Sequence, residues 1–191
     1  MNATDELAIE LSKTKIFIII VGSCAAVALG IWMFAMSPEA IQHITPFMGL
    51  PFNNPLFVHS AGIVAIVFFG GCAIYGVRKM FDKKPGLVFN SAGIIDNSSG
   101  VAAGFVPWSE ILGAEIFQIM NQPYLVIQVK NPENFVAGAN PLKSLAMKTN
   151  MKMCGSPITI GPNTLKMSFP ELLTTFQRYH QAYAQRMAAS T

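Results

Sequence analysis

Two long apolar stretches break the chain into segments with different hydrophobic patterning. From Ile16 to Met36 the sequence reads IFIIIVGSCAAVALGIWMFAM, 21 residues without a charge. From Leu56 to Val77 it reads LFVHSAGIVAIVFFGGCAIYGV, 22 residues with His59 near one end. Roughly 20 apolar residues in a helix cross a hydrocarbon core about 30 Å thick, so each stretch predicts a transmembrane helix. A signal peptide competes for the first, because Lys13 and Lys15 precede it. Signal h-regions are usually about 7–15 residues and end at a small-x-small site. This stretch is longer and ends in Trp32, Met33 and Phe34, which favours an anchor.

After Lys84 the pattern changes to short runs separated by turn residues, the signature of strands. Gly86–Phe89 and Gly93–Asp96 flank an N-S-A-G turn, and N-S-S-G follows at 97–100. Val101–Pro107 leads through Trp108-Ser109-Glu110-Ile111 into a longer strand toward Met120. Asn121-Gln122-Pro123 predicts a turn, and YLVIQVK at 124–130 alternates as a strand with Tyr124, Val126, Gln128 and Lys130 on one face. The stretch 131–157 is irregular, with a short helix expected over Pro141–Met147. Ile158–Ile160 and Thr164–Met167 then read as a hairpin around Gly161-Pro162-Asn163.

The last element has helical periodicity. Phe169, Leu172, Leu173, Phe176, Tyr179 and Tyr183 form one apolar stripe suited to a sheet. Ser168 and Glu171 have capping-box spacing, and Pro170 falls in the first turn, where a missing N–H removes nothing.

Charge orients the apolar pair. Lys13 and Lys15 precede the first stretch, Arg78, Lys79, Lys83 and Lys84 follow the second, and the connector Ser37–Pro55 holds Glu39 and no Lys or Arg. The positive-inside rule places both termini in the cytoplasm and the connector outside. Gly22, Ala26 and Gly30 recur every four residues, and Gly62, Gly70 and Gly71 with Ala61 and Ala65 supply small residues in the second helix. Small faces allow close helix packing in lipid, within a hairpin or between copies; the hairpin is preferred. In the connector, Ser37-Pro38-Glu39 reads as a cap, a first-turn proline and a dipole-favouring acid. Ala40, Ile41, Ile44 and Phe47 are expected along the outer membrane surface, and Asn53-Asn54-Pro55 turns the chain back. The tail before the first span predicts an amphipathic turn with Leu7, Ile9 and Leu11 near lipid.

Composition agrees. Charged residues make up 12% and apolar residues 52% of 191, against about a quarter charged in soluble domains. A net charge of +3 is too small to argue for nucleic acid. Cys24, Cys72 and Cys154 have no metal-ligand spacing and do not suggest a disulfide framework, which fits a reducing compartment. The expected organisation is a cytoplasmic tail (1–15), a first span (16–36), an external connector (37–55), a second span (56–77), a basic linker (78–84) and a cytoplasmic domain (85–191).

Several strands followed by one amphipathic helix resemble the pleckstrin-homology-like fold, in which a bent antiparallel sheet or barrel is capped by a C-terminal helix. The stretch GLVFNSAGIIDNSSGVAAGFVPWSEILGAEI at 86–116 is similar to the opening of bacterial domains of that kind, with an N-x-x-G turn at Asn90 and Gly93 and a W-x-x-I segment at Trp108 and Ile111. Two spans followed by such a domain resemble small bacterial inner-membrane proteins. The resemblance covers Lys15 to about Arg186. It implies an α+β fold and a membrane address, and transfers no catalytic residue.

The residues point to no catalytic constellation. His43 falls in the connector, His59 in a span and His180 on the terminal helix, so a histidine-based triad or multi-histidine metal centre is not expected. No cofactor is expected either. His59 as a proton relay is weaker than His59 as an interfacial or packed residue. Asp96, Glu110 and Glu115 read as turn and strand residues, and Gly93, Gly100 and Gly104 match no phosphate-loop pattern. Arg78, Lys79, Lys83 and Lys84 are candidate lipid-headgroup contacts, at about 1 kcal/mol each near an anionic leaflet. Lys143, Lys148 and Lys152 would extend that positive surface. Trp108 is a groove candidate and, with Lys143, Lys148 and Lys152, a candidate partner surface, although a core aromatic is the simpler reading. The expectation is a non-enzymatic, membrane-anchored binding module whose partners are the bilayer and either anionic phospholipid or another membrane protein, with homo-oligomerisation left open. The alternative is an immunity protein guarding the membrane against a toxin; an enzyme or transporter subunit is disfavoured.

Overall fold

The computed structural model describes residues 6–44, 54–119 and 121–189. The chain divides into two compact units, Lys13–Asp82 and Met1–Ser12 with Lys83–Thr191.

In the first unit, α1 (Lys13–Ala35) and α3 (Pro55–Met80) form an antiparallel hairpin. By length and composition both can cross a membrane. Gly30 and Gly62 set the distance of closest approach. A Cβ on Gly30 would stand 2.9 Å from the Gly62 carbonyl oxygen, and one on Gly62 would stand 2.7 Å from the Gly30 carbonyl oxygen. Gly76 abuts Ile20, whereas Gly22, Gly70 and Gly71 face open space. The small-residue pattern thus contains the hairpin contact, at fewer positions than the spacing suggests.

Polar groups close both ends of this unit. Lys13 Nζ donates to the carbonyls of Met80 (2.6 Å) and Asp82 (2.9 Å), a cation at the C-terminal, partly negative end of α3. At the far end, Asn54 Oδ1 accepts from Leu56 N–H at 2.9 Å and caps α3. A short helix α2 (Pro38–Ile44) starts where the sequence places it, with Ser37 Oγ accepting from Ala40 N–H at 3.2 Å. Ile41 is buried rather than spread along an outer surface. Phe47 and Asn53 lie outside the described residues, as does the Ile44 side chain.

The second unit has two antiparallel sheets. The first has the order β1-β2-β3-β4: Leu7–Ile9, Leu87–Phe89, Gly93–Asp96 and Gly104–Pro107. The second has the order β5-β6-β7: Ile111–Ile119, Gln122–Val129 and Ile158–Ile160. A 3-10 turn at Trp108–Glu110 breaks the chain between them, so the strands make two sheets and not the closed barrel that was one form of the expectation. Among the described residues, the β5–β6 connection includes Asn121 at φ 65°, a conformation Asn tolerates better than most residues. Pro123 sits in β6 opposite Gln118, beyond the part of β6 that pairs with β7, so its missing donor breaks no ladder there.

The N-terminal tail differs most from expectation. Leu7, Ala8 and Ile9 pair with Phe89, Val88 and Leu87, so the tail is a strand of the domain and not an amphipathic turn on lipid. Its pairing continues across the molecule: Leu11 bridges Leu165, Ser12 N–H donates to the Thr164 carbonyl at 2.7 Å, and Lys166 N–H donates to the Glu10 carbonyl at 2.9 Å. The segment expected to pair with Ile158–Ile160 therefore pairs with the tail, after a 3-10 turn at Pro162–Thr164. Burial explains the preference, because Ile9, Leu11 and Leu165 are all buried.

Helix α6 (Phe169–Ala189) covers the core with the expected stripe: Leu172, Phe176 and Tyr179 are buried, and Phe169, Leu173 and Tyr183 pack beside them. The Ser168 hydroxyl (2.7 Å) and backbone N–H (2.8 Å) donate to Glu171, holding its carboxyl below the ordinary carboxylate range. The irregular stretch contains two helices, α4 (Pro132–Ala137), which the sequence reading lacks, and α5 (Pro141–Cys154), longer than the helix expected to end at Met147.

Candidate functional site

The residues singled out from the sequence separate into a buried group and a surface group. Trp108 belongs to the first. It is in the core, its indole N–H donates to the Asn90 carbonyl at 2.8 Å, and Phe89, Phe176 and His180 surround its ring. The partner-surface reading of Trp108 is therefore corrected: a large aromatic with one donor is satisfied by burial and a single acceptor. Asn90 holds this corner. Its Oδ1 accepts from Ala92 and Gly93 N–H at 2.9 and 3.0 Å, and Gly93 is needed because a Cβ there would run into the Val106 carbonyl oxygen.

Asp96 is also buried. Its carboxylate accepts from Ser98 Oγ (2.7 Å), Ser98 N–H (2.9 Å) and Ala103 N–H (2.9 Å). Burial pushes its pKa up, and these donors oppose the shift. The group braces the β3–β4 connection. Glu110 is at the opposite end of β4, where its carboxylate accepts from Asn131 Nδ2 at 2.8 Å, and Glu115 is exposed on β5. His180 stacks on Phe176. Among the described residues, no group of three or more His, Cys, Asp and Glu is arranged to hold a metal ion. Burial also pushes the Cys154 thiol up, away from the thiolate form that reacts.

The basic linker is less uniform than its sequence. Arg78, Lys83 and Lys84 are exposed, whereas Lys79 is buried and its ammonium lies 2.9 Å from Asp82. Lys79 thus serves the hairpin base and is removed from the set presented to headgroups. In α3, His59 Nε2 lies 3.0 Å from the Met36 carbonyl, with Phe34 edge-on to the ring, a packed arrangement.

Lys148 and Lys152 belong to the surface group. They lie on the exposed side of α5, while Lys143 is partly buried. The helix begins with Asn140 Oδ1 accepting from Lys143 N–H at 2.9 Å and ends at Gly155, whose φ of 79° suits glycine. Its inner face carries Met147, fully buried, and Asn150, whose amide donates to Thr159 Oγ1 on β7 at 3.3 Å. An open groove of about 370 Å³ runs along the helix, lined by Glu133, Leu145, Lys148, Thr149, Met151 and Lys152.

No family model, curated protein or solved structure matches this chain. The three lysines mark α5 as a surface in the sequence, and its apolar Leu142 and Leu145 face outward.

Proposed function

We propose that this chain is a non-enzymatic binding module held at the bacterial inner membrane by its helical hairpin, with both termini and a pleckstrin-homology-like domain in the cytoplasm. Four plus three antiparallel strands followed by a helix support that fold. Length and apolar composition of the two helices support the anchoring, and the observation that carries the topology is the β1–β2 ladder, because the strands flanking the apolar pair belong to one sheet. Both flanks must then lie on the same side of any membrane the two helices cross. The ladder also argues against a signal peptide, since cleavage after α1 would cut a core strand away from its domain. The lysines and arginine on the flanks favour the cytoplasmic side.

The binding surface proposed for a protein partner is the edge of the first sheet at β4, where exposed Phe105 lies opposite exposed Ile95. Sheet edges accept added strands, and membrane confinement raises the effective concentration of weak contacts. Cysteine accessibility in intact cells tests the topology, with Cys24, Cys72 and Cys154 replaced by Ser. Ala8→Cys and Met187→Cys are expected to react only after the inner membrane is permeabilised, and Glu39→Cys before it. Labelling of positions 8 and 187 on opposite sides would sink the reading. Crosslinking in cells from Phe105 tests the partner surface; capture of phospholipid alone would reject a protein partner there.

A further inference from the structure

Helix α5 has its polar and apolar sides arranged unusually. One side carries the fully buried Met147 and Asn150, whose amide donates to Thr159 of the second sheet. The opposite side, which water would normally make polar, presents Leu142, Leu145 and Met153 at 79%, 64% and 51% exposure. At about 100° per residue, these three and Thr149 form one stripe, and Lys148 and Lys152 run along one edge of it. The helix PLKSLAMKTNMKMC contains three lysines and no acidic residue. An apolar stripe with cations along one edge suits a helix lying in the interface of an anionic bilayer: the stripe enters the headgroup–acyl boundary, and the lysines reach the phosphates.

We infer that the outer face of α5 is a docking surface for an anionic lipid bilayer, engaged by Leu142, Leu145 and Met153 through apolar insertion and by Lys148 and Lys152 through phosphate contact. Charge complementarity selects this occupant. An acidic peptide could satisfy the lysines, but a chain already tethered to a bilayer meets lipid at far higher local concentration. The inference rests on the anchored reading above, and it gives that reading a second, reversible contact with the membrane.

The test uses the full chain in vesicles, with Cys24, Cys72 and Cys154 replaced by Ser and an environment-sensitive fluorophore on Leu145→Cys or, separately, on Val67→Cys in α3. In phosphatidylglycerol vesicles, brominated acyl chains are expected to quench both probes. Lys148→Gln and Lys152→Gln should each lower the docked-to-free ratio at position 145 roughly fivefold, the equivalent of about 1 kcal/mol per cation, and leave position 67 unchanged. If position 67 is quenched by lipid while position 145 remains open to aqueous iodide, docking is overturned and the anchor stands. If position 145 is closed to both quenchers, a protein covers it and lipid is the wrong occupant. Equal quenching in phosphatidylcholine, insensitive to either substitution, rejects the anionic component. Failure of lipid to reach either probe overturns anchor and docking together.

Discussion

Ile9 lies directly opposite Leu87 in an antiparallel ladder, although 78 positions separate them and the whole apolar hairpin is inserted between. Both side chains are buried in the main core. The domain is therefore discontinuous in sequence, and its first strand is made before either apolar helix.

This relationship predicts the outcome of cutting the hairpin out. Residues 83–191 alone lack β1 and should be poorly folded. Residues 6–12 joined to 83–191 through a short Gly/Ser linker should form a folded, soluble domain. Ile9→Ala in that chimera is expected to lose about 2–5 kcal/mol, a large part of a typical stability of about 5–15 kcal/mol. Amide NMR dispersion and urea unfolding decide; equal folding with and without residues 6–12 would contradict the ladder.

At the hairpin, Gly62→Ala should force the helices apart, because the added methyl meets the Gly30 backbone, which cannot yield as a side chain would. Gly70→Ala and Gly71→Ala face open space and should leave thermal unfolding in micelles unchanged. A deficit at Gly71 equal to that at Gly62 would instead point to contacts between copies.

Trp108→Ala should destabilise by about 3–5 kcal/mol through loss of core volume. Phe105→Ser should change stability by less than about 0.5 kcal/mol, as exposed substitutions usually do, while removing any partner captured at β4. Chemical denaturation of both variants, beside crosslinking yield, separates core from surface.

Asp96 sets a pH dependence. Its folded pKa is raised above the ordinary 3.8 by burial, so the folded state binds its proton more tightly than the unfolded state. Its contribution is most favourable below about 3.8 and declines as pH rises through the folded value. Trp108 fluorescence in a Trp32→Phe background should report that decline on denaturant titration in micelles. Asp96→Asn should abolish this component of the slope. It should also cost about 1–3 kcal/mol at neutral pH, because an amide –NH2 cannot accept all three bonds from Ser98 and Ala103.

Local pattern alone was enough for the elements whose cause is local. The two apolar helices follow from continuous hydrophobicity, β3 from its flanking turns, and α6 from the Ser168–Glu171 cap and a 3.6-residue stripe, because each depends on residues close in the chain. The fates of Leu7–Ile9, Trp108 and Lys79 depended on distant partners. Tertiary structure made the tail a strand, since the core offered Ile9 and Leu11 fuller burial than a lipid surface would. It also buried Trp108 against α6 and paired Lys79 with Asp82. The exposed stripe on α5 was decided by the tertiary burial of Met147 on the other side, because a helix with apolar residues on both sides does not declare from its sequence which side faces outward.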